Sequence, residues 1–238
     1  MRCFIKHCFF LGLLGLLTAC IVQNYAPVDK AWSASEYKKG TYVVQPGDTL
    51  YAIAWRYDLD YRALAEENHI APPYTVEVGQ VLNVNPVVYK KTPVQTVSPA
   101  MTKTPTPSKT TKNMANLPIH WIWPAKGRII AHYSPSAGQK GINIAGKVGE
   151  SILAAASGKV AYAGNGLRGY GNLIIIKHND EFLSAYAHNQ MLLVHEGEAV
   201  KAGQKIATMG SSESKRVMLH FEIREAGKSV NPLLYVKP

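Results

Sequence analysis

Gln139-Lys140-Gly141-Ile142-Asn143-Ile144-Ala145-Gly146, taken with Tyr186-Ala187-His188 and Met218-Leu219-His220-Phe221-Glu222, decides the reading of the second half of this chain. From Ile119 to Pro238 short apolar runs are separated by glycine turns roughly every ten residues, the pattern of an all-β domain. Trp121-Ile122-Trp123-Pro124 and Gly127-Arg128-Ile129-Ile130-Ala131 open it, and Ser151 to Val160 continues it. Leu173 to His178, Phe182 to His188, Gly197 to Ile206 and Leu219 to Arg224 supply the remaining pieces.

The three stretches resemble the zinc site of the lysostaphin-type (LytM) cell-wall endopeptidases, which implies a mainly-β, duplicated-hybrid-motif fold for residues 119–238. That family carries H-x-G-x-D on one strand, a lone His after a Tyr, and H-x-H on a later strand. The first His, the Asp and the last His hold the metal, and the other two histidines assist its water. In this sequence Gln139 stands at the first ligand position, Asn143 at the second and His220 at the third. Of the assisting histidines His188 is kept, and Met218 replaces the other. A catalytic zinc takes three ligands from His, Cys or carboxylate and leaves one position open for water. Gln and Asn offer neutral amides, and a thioether takes no proton from water. The expectation is a peptidase fold without its chemistry: no metal, no cofactor and no catalytic residue. His132 and His178 do not stand in the right relation to Gly141 to complete a site in another register.

Working back to the start, Arg2 and Lys6 precede the apolar run Phe9 to Leu17 and the small-residue site Leu17-Thr18-Ala19-Cys20. This is an export signal over residues 1–19, too short in its apolar part to span a bilayer. Cys20 after these residues is similar to a bacterial lipobox, which implies acylation of its thiol and a stable anchor through several chains. Cys3 and Cys8 leave with the signal, so no disulfide is available within the mature chain. The net charge of +10 falls to about +8 on removal of Arg2 and Lys6, favouring acidic wall polymer or lipid rather than nucleic acid as partner. Ile21, where Asp would favour retention in the inner membrane, points to the periplasmic leaflet of an outer membrane.

Residues 20–40 read as a tether, and 41–85 as a small α+β domain. Thr41 to Val44 is rich in β-branched and aromatic residues and ends at Pro46-Gly47. Asp48 or Thr49 can cap the following helix, where Leu50, Ile53, Ala54 and Tyr57 recur at helical spacing. Tyr61 to Glu67 forms a second helix and Val81 to Val84 a closing strand. This β-α-α-β unit is similar to a LysM domain through Gly47-Asp48-Thr49-Leu50, Ile53-Ala54, Asn68, Ile70 and Gly79-Gln80-Val81-Leu82. The resemblance implies a shallow groove for N-acetylglucosamine-containing glycan at Gly47, Asp48, Thr49, Leu50, Asn68 and Ile70. Core packing for Leu50 and helix capping for Thr49 are equally open readings.

Residues 86–118 carry prolines at 93, 99, 105 and 107, five lysines and no acidic residue. Such a segment cannot bury enough surface to fold, and stretched it reaches on the order of 100 Å.

Anchor, LysM, linker and degenerate LytM domain in that order resemble the NlpD-type lipoproteins, the closer match lying in Gly164 to Asn172, Ser184 to Asn189 and Leu219 to Arg224. The resemblance implies peptidoglycan binding and activation of an N-acetylmuramoyl-L-alanine amidase that splits septal peptidoglycan in cell division. On that reading Gln139, Asn143, Arg168, Tyr170, His188, Met218 and His220 line a former substrate cleft that receives a segment of the amidase. Two other readings stand beside it: an active zinc endopeptidase of the wall, and a purely structural wall-binding lipoprotein.

Overall fold

The computed structural model describes residues 40–85 and 118–238. Cys20, the signal, the tether and the Pro/Thr/Lys-rich linker lie outside the described residues, apart from Gly40 and Pro118 at their edges.

The first region is built from β1 (Thr41–Val43), α1 (Leu50–Tyr57), α2 (Tyr61–Glu67) and β2 (Val81–Asn83). β1 and β2 pair antiparallel, with Tyr42 opposite Leu82. Thr49 caps α1 by accepting the Ala52 amide at 3.1 Å, and α1 ends at Asp58 in left-handed conformation (φ 60°). Asp60 caps α2 by accepting the Arg62 amide. The apolar spacing of α1 buries Leu50, Ala52, Ile53, Ala54 and Trp55, so the helix is held by tertiary packing rather than by its own eight residues.

The second region is antiparallel sheet: β3 (Ile129–Ala131), β4 (Ile142–Ala145), β5 (Ser151–Leu153), β6 (Gly158–Gly164), β7 (Asn172–Lys177), β8 (Phe182–Leu192), β9 (Ala199–Val200), β10 (Lys205–Met209), β11 (Met218–Glu225) and β12 (Lys228–Val230). The order across the main sheet is β3-β4-β11-β8-β7-β6-β9, with β10 joining β5 to the far end of β8 and β12 pairing β11. Two details depart from the sequence expectation. The stretch 151–160 divides into β5 and β6 around Ala154–Ser157, because the Ala154 and Ala155 amides are taken by Gln204 and by the Tyr186 hydroxyl. Trp121–Pro124 is not strand; Trp121 and Trp123 lie on the core, Trp121 edge-on to His178 and Phe182.

Alternation along the strands gives the sheet two faces. Ile174, Ile176, Tyr186, Leu219, Phe221 and Ile223 point into a core closed by Ile142, Ile144, Ile152 and Ile206. Leu173, Ile175, Leu183, Ala185 and Ala187 point to the other face and share one core with Leu50, Ile53 and Trp55 of the first region. The first region therefore packs on the sheet face that also carries Asn143 and His220. Contact there is close enough to demand glycine: Gly227, at φ +79°, sits where a Cβ would come within 2.4 Å of the Asp60 backbone.

Candidate functional site

β4 and β11 bring two of the predicted positions together by register, since Asn143 lies directly across from His220. Gly141 lets the strands close up: a Cβ there would fall 2.2 Å from the Phe221 carbonyl oxygen. Gln139, just before β4, is folded back into the same place.

These side chains bond to one another. Gln139 Nε2 donates to Asn143 Oδ1 at 3.1 Å and to the Gly141 carbonyl at 3.2 Å. His220 Nδ1 lies 2.6 Å from the same Asn143 Oδ1, and its Nε2 lies 3.0 Å from Glu222 Oε1. Tyr170 Oη donates to Glu222 Oε1 at 2.8 Å. Arg224 Nε stands 3.5 Å from Glu222 Oε2. One chain of polar contacts thus runs Gln139–Asn143–His220–Glu222–Arg224, with Tyr170 joined at Glu222. Burial alone would raise the Glu222 carboxyl, but the His220 hydrogen bond and the Arg224 guanidinium outweigh it and hold the group down at about 2. Burial, reinforced by the Glu222 charge, raises Tyr170, so its hydroxyl stays protonated and donates.

His188 lies at the bend of β8 in left-handed conformation (φ 65°), its backbone amide donating to the Tyr170 carbonyl at 2.9 Å. Its Nδ1 lies 2.8 Å from the Ser212 carbonyl, an acceptor, which makes Nε2 the unprotonated nitrogen. Burial and the His220 charge bring His188 down to about 4 against the pull of Ser212. The two imidazole rings are 6.1 Å apart. Met218 pairs through its backbone with Ala145 and Gly210 at the half-buried start of β11. Arg168 is exposed on the loop between β6 and β7 that also delivers Tyr170.

The residues do not fit a catalytic zinc. Ligand atoms about 2.0–2.2 Å from a tetrahedral ion stand roughly 3.4 Å apart with the ion between them; here Asn143 Oδ1 and His220 Nδ1 are bonded directly at 2.6 Å. The donor set is two amides and one imidazole, and among the described residues no group of three or more His, Cys, Asp or Glu could hold a metal ion. The expectation of an open cleft is corrected at the same place. Gln139, Asn143, His188 and His220 are all less than a tenth exposed, so the floor is filled, while Met218 is half-buried and Arg168 is exposed on the loop that delivers Tyr170.

Sequence reasoning missed the outer half of this network. Glu222 and Arg224 follow His220 at two-residue steps on one face of β11, a signal legible in Leu219 to Arg224. Their partners were not legible. Arg224 is 1% exposed, its guanidinium 3.8 Å from the Trp55 ring centroid, and its Nη1 reaches both the Trp55 carbonyl (3.2 Å) and Asp58 Oδ1 (3.0 Å). Lys140 Nζ also reaches Asp58 Oδ1, at 3.1 Å. The C-terminal cap of α1 therefore receives two cations from the second region.

The positions expected to meet glycan are gathered less tightly. Gly47 and Asp48 form the turn before α1, where Asp48 accepts the Gln45 amide and the Tyr42 hydroxyl. Thr49 Oγ1 caps α1 and donates to the Ala161 carbonyl of β6 at 3.1 Å. Leu50 is 1% exposed, so its side chain is core and only its backbone can face a ligand. Asn68 is occupied in structure: its amide donates to the Leu64 and Asn83 carbonyls and its Oδ1 accepts the Asn83 amide, tying α2 to β2. Ile70 is half-buried against the shared core.

With the geometry in view, likeness to known proteins is informative. Residues 42–85 match the LysM domain and residues 137–232 match peptidase family M23. The chain is 46% identical over 261 aligned positions to a lipoprotein NlpD/LppB homolog of Pseudomonas aeruginosa, covering 93% of this chain and 88% of that one. It is 42% identical over 234 positions to the uncharacterized lipoprotein YgeR of Escherichia coli, covering 96% and 93%. It is also 42% identical over 259 positions to the murein hydrolase activator NlpD of Escherichia coli, covering 84% and 68%. Likeness at this level, which for the first two relatives runs across nearly the whole of both chains, places the protein in the NlpD/LppB family of lipoproteins.

Proposed function

We propose that this protein is a non-catalytic activator of murein hydrolysis. It binds wall glycan through its LysM region and stimulates an N-acetylmuramoyl-L-alanine amidase through its M23 region, in the splitting of septal peptidoglycan. The relatives named murein hydrolase activators support the role. The observation that carries it is the direct bonding of Gln139, Asn143 and His220 where a peptidase would grip its metal. A face shaped by a peptidase fold and stripped of metal ligands keeps one use, which is to be touched. In this reading the amidase docks on the rim beside the filled site, with Arg168 pairing a partner carboxylate. Docking stabilises the amidase's open state and shifts its population without chemistry on this chain. Acylated Cys20 anchors the protein in the outer membrane facing the periplasm, in keeping with relatives named outer membrane antigenic lipoprotein B.

The test uses dye-labelled murein with the purified protein, a cell-wall amidase, and both together. Release is expected only from the pair, and Arg168→Glu is expected to reduce stimulation at least tenfold while the far-ultraviolet circular dichroism is unchanged. Release by this protein alone in the presence of zinc would overturn the reading in favour of an endopeptidase. Normal stimulation by folded Arg168→Glu would remove the docking rim from it.

A further inference from the structure

Of the six residues expected to meet glycan, Asp48 and Thr49 line a cavity that the first region does not bound alone. Its near side is the turn before α1, the first turn of α1 and the segment between α2 and β2: Asp48, Thr49, Tyr51, Tyr74 and Val76. Its far side is the second region, with Lys159, Val160 and Ala161 of β6, Lys177 of β7 and the Glu196–Gly197 turn. Together they border a half-open cavity of about 200 Å³, smaller than the pockets of drug-sized ligands. The hydrogen bond from Thr49 Oγ1 to the Ala161 carbonyl seals the floor between the two sides.

The lining has the mixed character that a sugar needs. Tyr51, Tyr61 and Tyr74 pack as a cluster with ring centroids 4.7, 5.4 and 6.3 Å apart. Of these, Tyr51 and Tyr74 border the cavity and offer aromatic faces to C–H groups. Lys177 Nζ is held over Tyr61 at 5.1 Å and Tyr74 at 6.0 Å and fixed by Asp180 at 2.9 Å. Lys159 is exposed on the β6 wall. Val76, Val160 and Ala161 supply an apolar wall for a methyl group.

The geometry points to a composite site: one N-acetylated amino sugar of a glycan binds between the two regions, stacked on Tyr51 and Tyr74, with Lys159 and Lys177 of the M23 region donating to its oxygens. This rests on the reading of the LysM region as glycan-binding and adds to it that the M23 region forms half of the subsite. Because a ligand that touches both sides binds the docked arrangement better than a separated one, glycan binding stabilises the docking.

The mature full-length chain is titrated with the β-1,4-linked tetramer of N-acetylglucosamine by calorimetry, beside Tyr74→Ala and Lys159→Trp, the second of which fills the cavity from the β6 side. Both variants are expected to bind at least tenfold more weakly than the wild type at a temperature where circular dichroism shows each to be folded. In the wild type the backbone amide signals of Lys159, Lys177 and Gly197 are expected to shift on adding the tetramer, a readout independent of whether either variant folds. Wild-type binding with loss in Tyr74→Ala but full affinity in Lys159→Trp and silent second-region amides would overturn the composite site and leave a LysM-only site. Absence of any binding by the wild type would sink the glycan reading itself.

Discussion

The two faces of β11 are equally dry and chemically opposite. Leu219, Phe221 and Ile223 are completely buried in the second region's own core, while His220, Glu222 and Arg224, alternating with them, are 8%, 1% and 1% exposed. The first face is a domain interior of the ordinary kind, stabilised by apolar area removed from water. The second is a polar ladder that starts where His220 meets Asn143 and ends under α1 of the LysM region, where Trp55 and Asp58 cover Arg224. An apolar face tolerates loss of a group in proportion to the cavity left behind. A polar face responds instead to broken pairing, because each partner then leaves another charge desolvated and alone. The difference lies in pairing: Glu222 is the counter-ion on which His220, Tyr170 and Arg224 converge.

Four measurements separate the faces. Phe221→Ala is expected to have the largest effect, about 4 kcal/mol lost in chemical denaturation, because it opens a void beside Tyr186, whose ring lies 5.3 Å away. Glu222→Gln changes shape least but removes the anion and is expected to cost about 3 kcal/mol. If this variant were as stable as wild type, the polar face would be passive filling rather than a paired network. Acidification acts next. His178 and His188 are both brought down to about 4, first by burial, with the His220 charge adding to the effect at His188. Their folded values lie below the unfolded value near 6.5, so their stabilising contribution is complete above about pH 6.5 and is lost as pH falls towards 4. By pH 5 the loss is about 2 kcal/mol for each histidine, so that the two together rival the Phe221 substitution. A thermal midpoint unchanged between pH 7 and 5 would contradict this. The smallest effect is expected for Thr49→Val, about 1 kcal/mol, from loss of the α1 cap and of the bond to Ala161.

Much of the fold was legible because its signals are local. A Thr before an apolar 3.6-residue period made α1, and α2 spans the residues that its spacing implied. Glycine-punctuated apolar runs made a mainly-β second half. At the site, Gln139, Asn143 and His220 were recognisable through their resemblance to the zinc motifs of the lysostaphin-type peptidases; register joined Asn143 to His220, and a side-chain hydrogen bond brought in Gln139. Glu222 and Arg224 were visible as residues but not as members of the site, since an alternating polar residue on a strand reads equally well as a solvated face. Leu50 and Asn68 went the other way: residues expected to meet a ligand are held by the core and by the β2 backbone.

Residue chemistry by itself determined that amides stand at 139 and 143 and a thioether at 218, where the resembled peptidases carry zinc-site residues, because those groups are what they are wherever the chain places them. The tertiary structure alone decided what became of that site: whether it stood open or was filled, and what covered its far end. Those outcomes depend on Asn143 meeting His220 across two strands, and on Trp55 and Asp58 meeting Arg224 from more than 160 residues away along the chain. No local pattern encodes contacts at that separation, because they arise only when one buried face is laid against another.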